Sequence, residues 1–217
     1  MFNRFFLAAF WLYSACFAQN ISISDIINSN ELHSQTLTVV HWHPNSKAFT
    51  FTKKNASKVD LWICNAHNGK MQMLVDGEKL GLKSARKEKR HIVPNYLWSP
   101  DGRKLLIPSQ KDLALFDVES KTLLRLTNDD AEERDPTFSP DGSKIAYLKN
   151  NNLSIYDLVS HQEIMLTNHG TKHLLIGRFD WTYEEEFSIR TGFEWSPNSQ
   201  HISFFQLDVT PVPEFPI

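Results

Sequence analysis

Four copies of one turn phrase, two of them followed by matching strands, predict an all-β protein: a partial β-propeller of four-stranded antiparallel blades whose ring is incomplete. The copies are Trp42-His-Pro-Asn-Ser-Lys, Trp98-Ser-Pro-Asp-Gly-Arg, Phe138-Ser-Pro-Asp-Gly-Ser and Trp195-Ser-Pro-Asn-Ser-Gln. Their prolines, at 44, 100, 140 and 197, are 56, 40 and 57 residues apart. The 40-residue interval is near the length of one blade, and the longer intervals read as blades carrying insertions. Proline presets φ at the first central turn position, and Asp-Gly or Asn-Ser supplies the turn chemistry. The Trp or Phe before it closes a strand and offers a large apolar body for packing between blades.

Each full phrase predicts three strands after it. Behind Pro100 these are Lys104–Ile107, Leu113–Asp117 and Thr122–Leu126; behind Pro140 they are Lys144–Leu148, Leu153–Asp157 and Glu163–Leu166. Leu113-Ala-Leu-Phe-Asp-Val and Leu153-Ser-Ile-Tyr-Asp-Leu are one strand written twice, and both units close on Leu-Thr-Asn. Alternation with no helical period between strands argues against an α/β arrangement. The last copy is expected to end after one strand and a Pro-rich tail, leaving open strand edges.

Twenty-three basic against 25 acidic residues leave no global field for nucleic acid or an anionic membrane. Residues 1–18 read as a secretory signal: Arg4 supplies the positive start, and Phe5–Phe17 is apolar but short for a membrane span. Cys16-Phe17-Ala18 offers the cleavage site; an uncleaved anchor or a lipid on Cys16 are the alternatives. The expectation is an exported protein, periplasmic or extracellular, with membrane attachment as the variant. Once the signal is removed Cys64 is the one remaining thiol, so no internal disulfide can form. Residues 19–36 form a polar lead-in, and the propeller occupies 37–217.

The long intervals hold two insertions. Residues 78–95 are basic, with Lys83, Arg86, Lys87, Lys89 and Arg90 close together. No aromatics interleave them and the protein is expected to be exported, which argues against a nucleic-acid patch. Residues 171–194 carry Glu184-Glu185-Glu186 between Trp181, Tyr183, Phe187 and Phe193. Three adjacent carboxylates repel one another unless solvated or paired with a cation. Helical neighbours diverge by roughly 100°, so two of them could grip one ammonium from two sides. Asp180, His169 and His173 match no metal-ligand spacing, and neither a metal nor a cofactor is expected. No nucleophile elbow, zinc motif or phosphate loop is present, so no catalytic residue is assigned.

Asp180-Trp-Thr-Tyr-Glu-Glu-Glu-Phe, with Thr191-Gly-Phe-Glu-Trp-Ser-Pro behind it, resembles the double-glutamate segment of the dipeptidyl-peptidase IV family of serine exopeptidases. The blades from Leu97 to Gly170 are similar to that family's N-terminal propeller, so the resemblance covers residues 37–217. It implies that Glu185 and Glu186 bind the free α-amine of a peptide, measuring two or three residues to a scissile bond after Pro or Ala. It also implies a propeller Arg on a substrate carbonyl. The turn Pro108–Asp112 has no Arg, whereas Ser84-Ala-Arg-Lys-Glu-Lys-Arg-His resembles the basic segment other members use, making Arg86 and Arg90 the candidates. The family's Ser-Asp-His triad belongs to a C-terminal α/β-hydrolase domain that is expected to be absent here, so the chain alone is not expected to hydrolyse peptides. A homodimer is implied for the full-length enzyme. The expected function is thus the substrate-gating, N-terminus-binding portion of an exported proline-specific serine exopeptidase. A stand-alone periplasmic binding propeller is the alternative.

Overall fold

The turn phrase folds as a small hydrogen-bonded unit with the same backbone bonds in all four copies, and three of them share a serine side-chain bond where the first has His43. In a computed structural model, which describes residues 38–55, 58–80, 91–92, 95–109 and 111–213, Ser99 Oγ donates to Asp101 Oδ1 at 2.6 Å and accepts from Lys104 N at 2.9 Å. Ser139 repeats this with Asp141 and Lys144, and Ser196 with Asn198 and His201. The fifth residue of each phrase (Ser46, Gly102, Gly142, Ser199) has positive φ. Neighbouring turns also touch: His43 Nε2 lies 3.2 Å from the Gly102 carbonyl, and Asp141 N donates to Ser199 Oγ at 3.0 Å.

The described residues belong to one unit, Leu37–Ile217, built from successive antiparallel sheets. The first comprises β1 (Thr38–Trp42), β2 (Ala48–Asn55), β3 (Lys58–Asn65) and β4 (Met71–Val75), with the short β5 (His91–Ile92) parallel to the start of β3. The second is β6 (Leu97–Trp98), β7 (Lys104–Ser109), β8 (Asp112–Asp117) and β9 (Leu123–Arg125). The third is β10 (Glu133–Phe138), β11 (Lys144–Lys149), β12 (Asn152–Asp157) and β13 (Gln162–Met165). All six strands predicted behind Pro100 and Pro140 are present, within two residues at their ends.

The matched strand endings have matched causes. Asp117 and Asp157 accept from Ser120 N and Ser160 N at 2.8 and 2.9 Å, closing the next turn. Thr127 Oγ1 accepts from Leu113 N, and Thr167 Oγ1 from Leu153 N, at 2.8 and 2.9 Å. The repeated Leu-Thr-Asn is therefore a latch that holds the fourth strand's exit against the third strand's entry.

Sheets stack face to face, so each central strand is buried on both sides and reads as a continuous apolar run. Leu105 and Ile107 pack with Leu61, Val75 and Tyr96 toward the first sheet, while Leu106 packs with Leu113, Ile145 and Tyr147 toward the third. Ala146, Leu148, Leu153 and Ile155 meet Ile176 and Phe193 on the far side. Trp98, Phe138 and Trp195 sit at these three junctions as expected, but Trp42, 63% exposed, stands edge-on against Phe49 instead.

The fourth unit is more complete than its sequence suggests. β14 (Leu174–Ile176) pairs with β17 (Gln206–Asp208), and β15 (Phe193–Trp195) pairs with β16 (Ile202–Phe204). The tail is thus strand up to Asp208. The protein is an all-β partial propeller, and no closed barrel forms among the described residues.

Candidate functional site

β14 and β15 are two halves of one strand. Residues 202–208 run past both: Leu174 faces Asp208, Ile176 faces Gln206, Phe193 faces Phe204 and Trp195 faces Ile202. At the join, Gly177 N donates to Phe205 O, Phe205 N to Gly192 O, and Gly192 N to Gly177 O, each at 2.8 Å. Residues 178–191 leave the strand at this point and return to it, with Arg178 and Thr191 bridged across the neck. Glycine is required at both sides of the neck. Gly177 has φ +66°, and a Cβ on Gly192 would lie 2.9 Å from backbone atoms of Gly177 and Arg178.

The excursion carries one helix, α1 (Trp181–Phe187). Asp180 caps it, its Oδ1 accepting from Thr182 N at 3.1 Å and Tyr183 N at 3.3 Å. Ser188 ends it in the left-handed region at φ 55°. No residue of α1 is buried, so its attachment depends on a few side-chain contacts. One set is aromatic: Phe179 stacks on Tyr183 at 5.1 Å and packs on Phe205 at 5.1 Å, and Tyr183 continues to Phe187 at 5.8 Å. Of the expected frame, Tyr183 and Phe187 take part. Trp181 is 71% exposed, and Phe193 belongs to the core between blades. Phe179 and Phe205 are the partners that sequence reading missed. Phe179 was adjacent to the motif, but nothing local marks Phe205.

The second attachment is ionic. Glu184 Oε1 lies 3.6 Å from Arg178 Nη2, with both side chains about three-quarters covered. The three carboxylates therefore differ: Glu184 is turned to the neck, while Glu185 and Glu186 are exposed. Asp135, at φ 51° in the β10 bulge, belongs to the same charge cluster. Burial lifts its carboxyl above the ordinary value, Glu184 adds to this, and Arg134, Arg190 and Arg178 oppose it. Asp180 is committed to its cap and His169 pairs with Gln206 Oε1 at 3.1 Å. Arg86 and Arg90 lie outside the described residues, as do the signal at 1–18 and the lead-in at 19–36. The β7–β8 hairpin pairs Ser109 with Asp112, leaving two residues between them.

Blades of this kind, with an acidic helix let out of the fourth unit's first strand, define a propeller segment that carries an exposed acidic helix. Residues 99–217, more than half of the chain, match the dipeptidyl peptidase IV (DPP IV) N-terminal region, and the chain belongs to that family. Over 49 residues it is 45% identical to a probable dipeptidyl-aminopeptidase B of Penicillium rubens, a match covering 22% of this chain and 5% of that protein. The crystal structure of Porphyromonas gingivalis dipeptidyl peptidase 4 superimposes with a TM-score of 0.69 at 25% identity, over 84% of this chain and 27% of that one. The chain thus spans little more than a quarter of that relative's length.

Proposed function

We propose that this chain is the substrate-gating, N-terminus-binding propeller portion of an exported, proline-specific serine exopeptidase, in which Glu185 and Glu186 hold the free α-ammonium of a peptide. The observation that supports this most directly is the division of labour on α1, where Glu184 is engaged with Arg178 and its two neighbours face solvent. An ammonium brings three donors, and two carboxylates roughly 100° apart can take them without sharing an oxygen. Charge-assisted bonds of this type contribute about 1.5–3 kcal/mol each. Family membership supports the peptidase context. The apolar leader supports export, and the family resemblance supports a C-terminal α/β-hydrolase domain as the catalytic partner.

The test is calorimetric binding of Ala-Pro-Ala and of its N-acetyl form to the purified chain. The free-amine peptide is expected to bind on the order of tenfold or more tightly than the acetylated one, and Glu185→Gln and Glu186→Gln are each expected to remove most of that difference. Equal binding of both peptides by the unaltered chain would overturn the reading.

A further inference from the structure

Resting on the amine-binding reading above, we propose that Arg178 is a positioning residue for the pair Glu185–Glu186, acting through Glu184. Arg178 occupies a fixed point of the fold. Its backbone is bridged to Thr191, and the adjacent Gly177 carbonyl accepts from Gly192 N at 2.8 Å. From that point its guanidinium reaches Glu184 at 3.6 Å. The helix it reaches buries no residue, so the Arg178–Glu184 pair and the aromatic stack through Phe179 are what tie α1 to the neck. Holding Glu184 toward the neck directs the next two side chains, roughly 100° and 200° further round, away from it. The pair also neutralises the first of three consecutive carboxylates, which reduces the repulsion that two ionised neighbours must bear before a cation arrives. Asp135 interacts electrostatically with both members of this pair, and also with Arg134 and Arg190. Nε of Arg178 is buried without a hydrogen-bond partner, which leaves the guanidinium's outer nitrogens to do the holding.

The measurement is the same affinity ratio, free-amine Ala-Pro-Ala over N-acetyl-Ala-Pro-Ala, on the whole chain, together with the thermal unfolding midpoint. Arg178→Gln and Glu184→Gln are each expected to lower the ratio about five- to tenfold, while Arg178→Lys keeps most of it. The midpoint of Glu184→Gln is expected to stay within a few degrees of the unaltered chain, since its side chain is partly exposed. A normal ratio in both Gln variants overturns the positioning role and leaves amine binding standing. A loss in Arg178→Gln without one in Glu184→Gln also overturns it, because Arg178 would then act by another route. If Arg178→Gln does not fold, Glu184→Gln decides alone. A ratio of one in the unaltered chain removes the amine-binding reading, and this proposal with it.

Discussion

Gly192 donates its N–H to the carbonyl of Gly177 at 2.8 Å, joining two strand halves across an excursion that holds the acidic helix. A methyl group on Gly192 would fall 2.9 Å from Arg178 N and from Gly177 C, both backbone atoms with no freedom to yield. Gly192→Ala is therefore expected to destabilise the chain by about 2–3 kcal/mol and to misplace α1. Gly177→Ala meets a side-chain methyl of Leu148 at 3.0 Å and a φ of +66°, and should lose about 1–2 kcal/mol. Urea unfolding followed by tryptophan fluorescence checks the order. A Gly192→Ala variant as stable as the parent would contradict the account of the neck.

A partly buried ionic cluster at the third sheet carries a second expectation. Lys149, 13% exposed, lies 2.6 Å from Asp129, 2.9 Å from Glu163 and 3.4 Å from Glu133, whose side chain is fully covered. Burial works against the charged ammonium, but the bonds to Asp129 and Glu163 outweigh it and hold its pKa above the ordinary value. Burial raises that of Glu133, against Thr127 and Lys149. Lys149→Met strands the Glu133 charge and should remove on the order of 3 kcal/mol at neutral pH. Glu133→Gln added to it should recover part of the loss. With its folded pKa above the unfolded one, Glu133 destabilises increasingly as pH rises through that interval, so the loss in Lys149→Met should shrink on acidification. A loss independent of pH between 4 and 7 would be the contrary result.

The turn phrase predicts acid sensitivity of the opposite sign. The Ser139 hydroxyl and the Ser143 amide, helped by the Ser143 hydroxyl and Lys144, lower the Asp141 pKa from 3.8 to about 2 against the opposing effect of burial. A depressed folded pKa gives stability that is complete above the unfolded value near 3.8 and lost as pH falls toward 2. Asn198 makes the equivalent bond to Ser196 in the fourth unit, 2.7 Å, so Asn is compatible with the turn. Asp141→Asn should keep the fold at neutral pH and flatten the fall in melting temperature between pH 4 and 2. Unfolding curves of parent and variant with the same slope across that range would show the carboxylate contributes nothing there.

How much of this was legible in the sequence depended on how far each residue's partner lay. Ser99, Asp101 and Lys104 satisfy one another within five residues, so the phrase announced its turn and recurred recognisably. Leu113 and Thr127 also sit within one blade, and the copy in the next blade made their strands predictable. The fourth unit escaped because its pairing skips the excursion: Leu174 faces Asp208, and neither neighbourhood announces the other. A strand cut in two by a helix leaves fragments too short for a period to show. The continuous apolar runs of β7 and β11 likewise needed the neighbouring sheets on both faces to be understood.

Local chemistry in the chain settles the all-β class, the blade spacing, the turn phrases and the acidic triplet, because each is satisfied by residues close in sequence. The family resemblance set Glu185 and Glu186 apart from Glu184, but the physical reason the three differ is tertiary. Which of them is neutralised depends on Arg178 being held at the neck, and that neck exists because Gly177 and Gly192 bring two distant strand ends within one hydrogen bond. Phe205 reaches Phe179 for the same reason, from the strand that runs past both halves. Backbone pairing over long separations has no side-chain signature, so residue chemistry could name the three carboxylates, and only the family resemblance chose Glu185 and Glu186 among them.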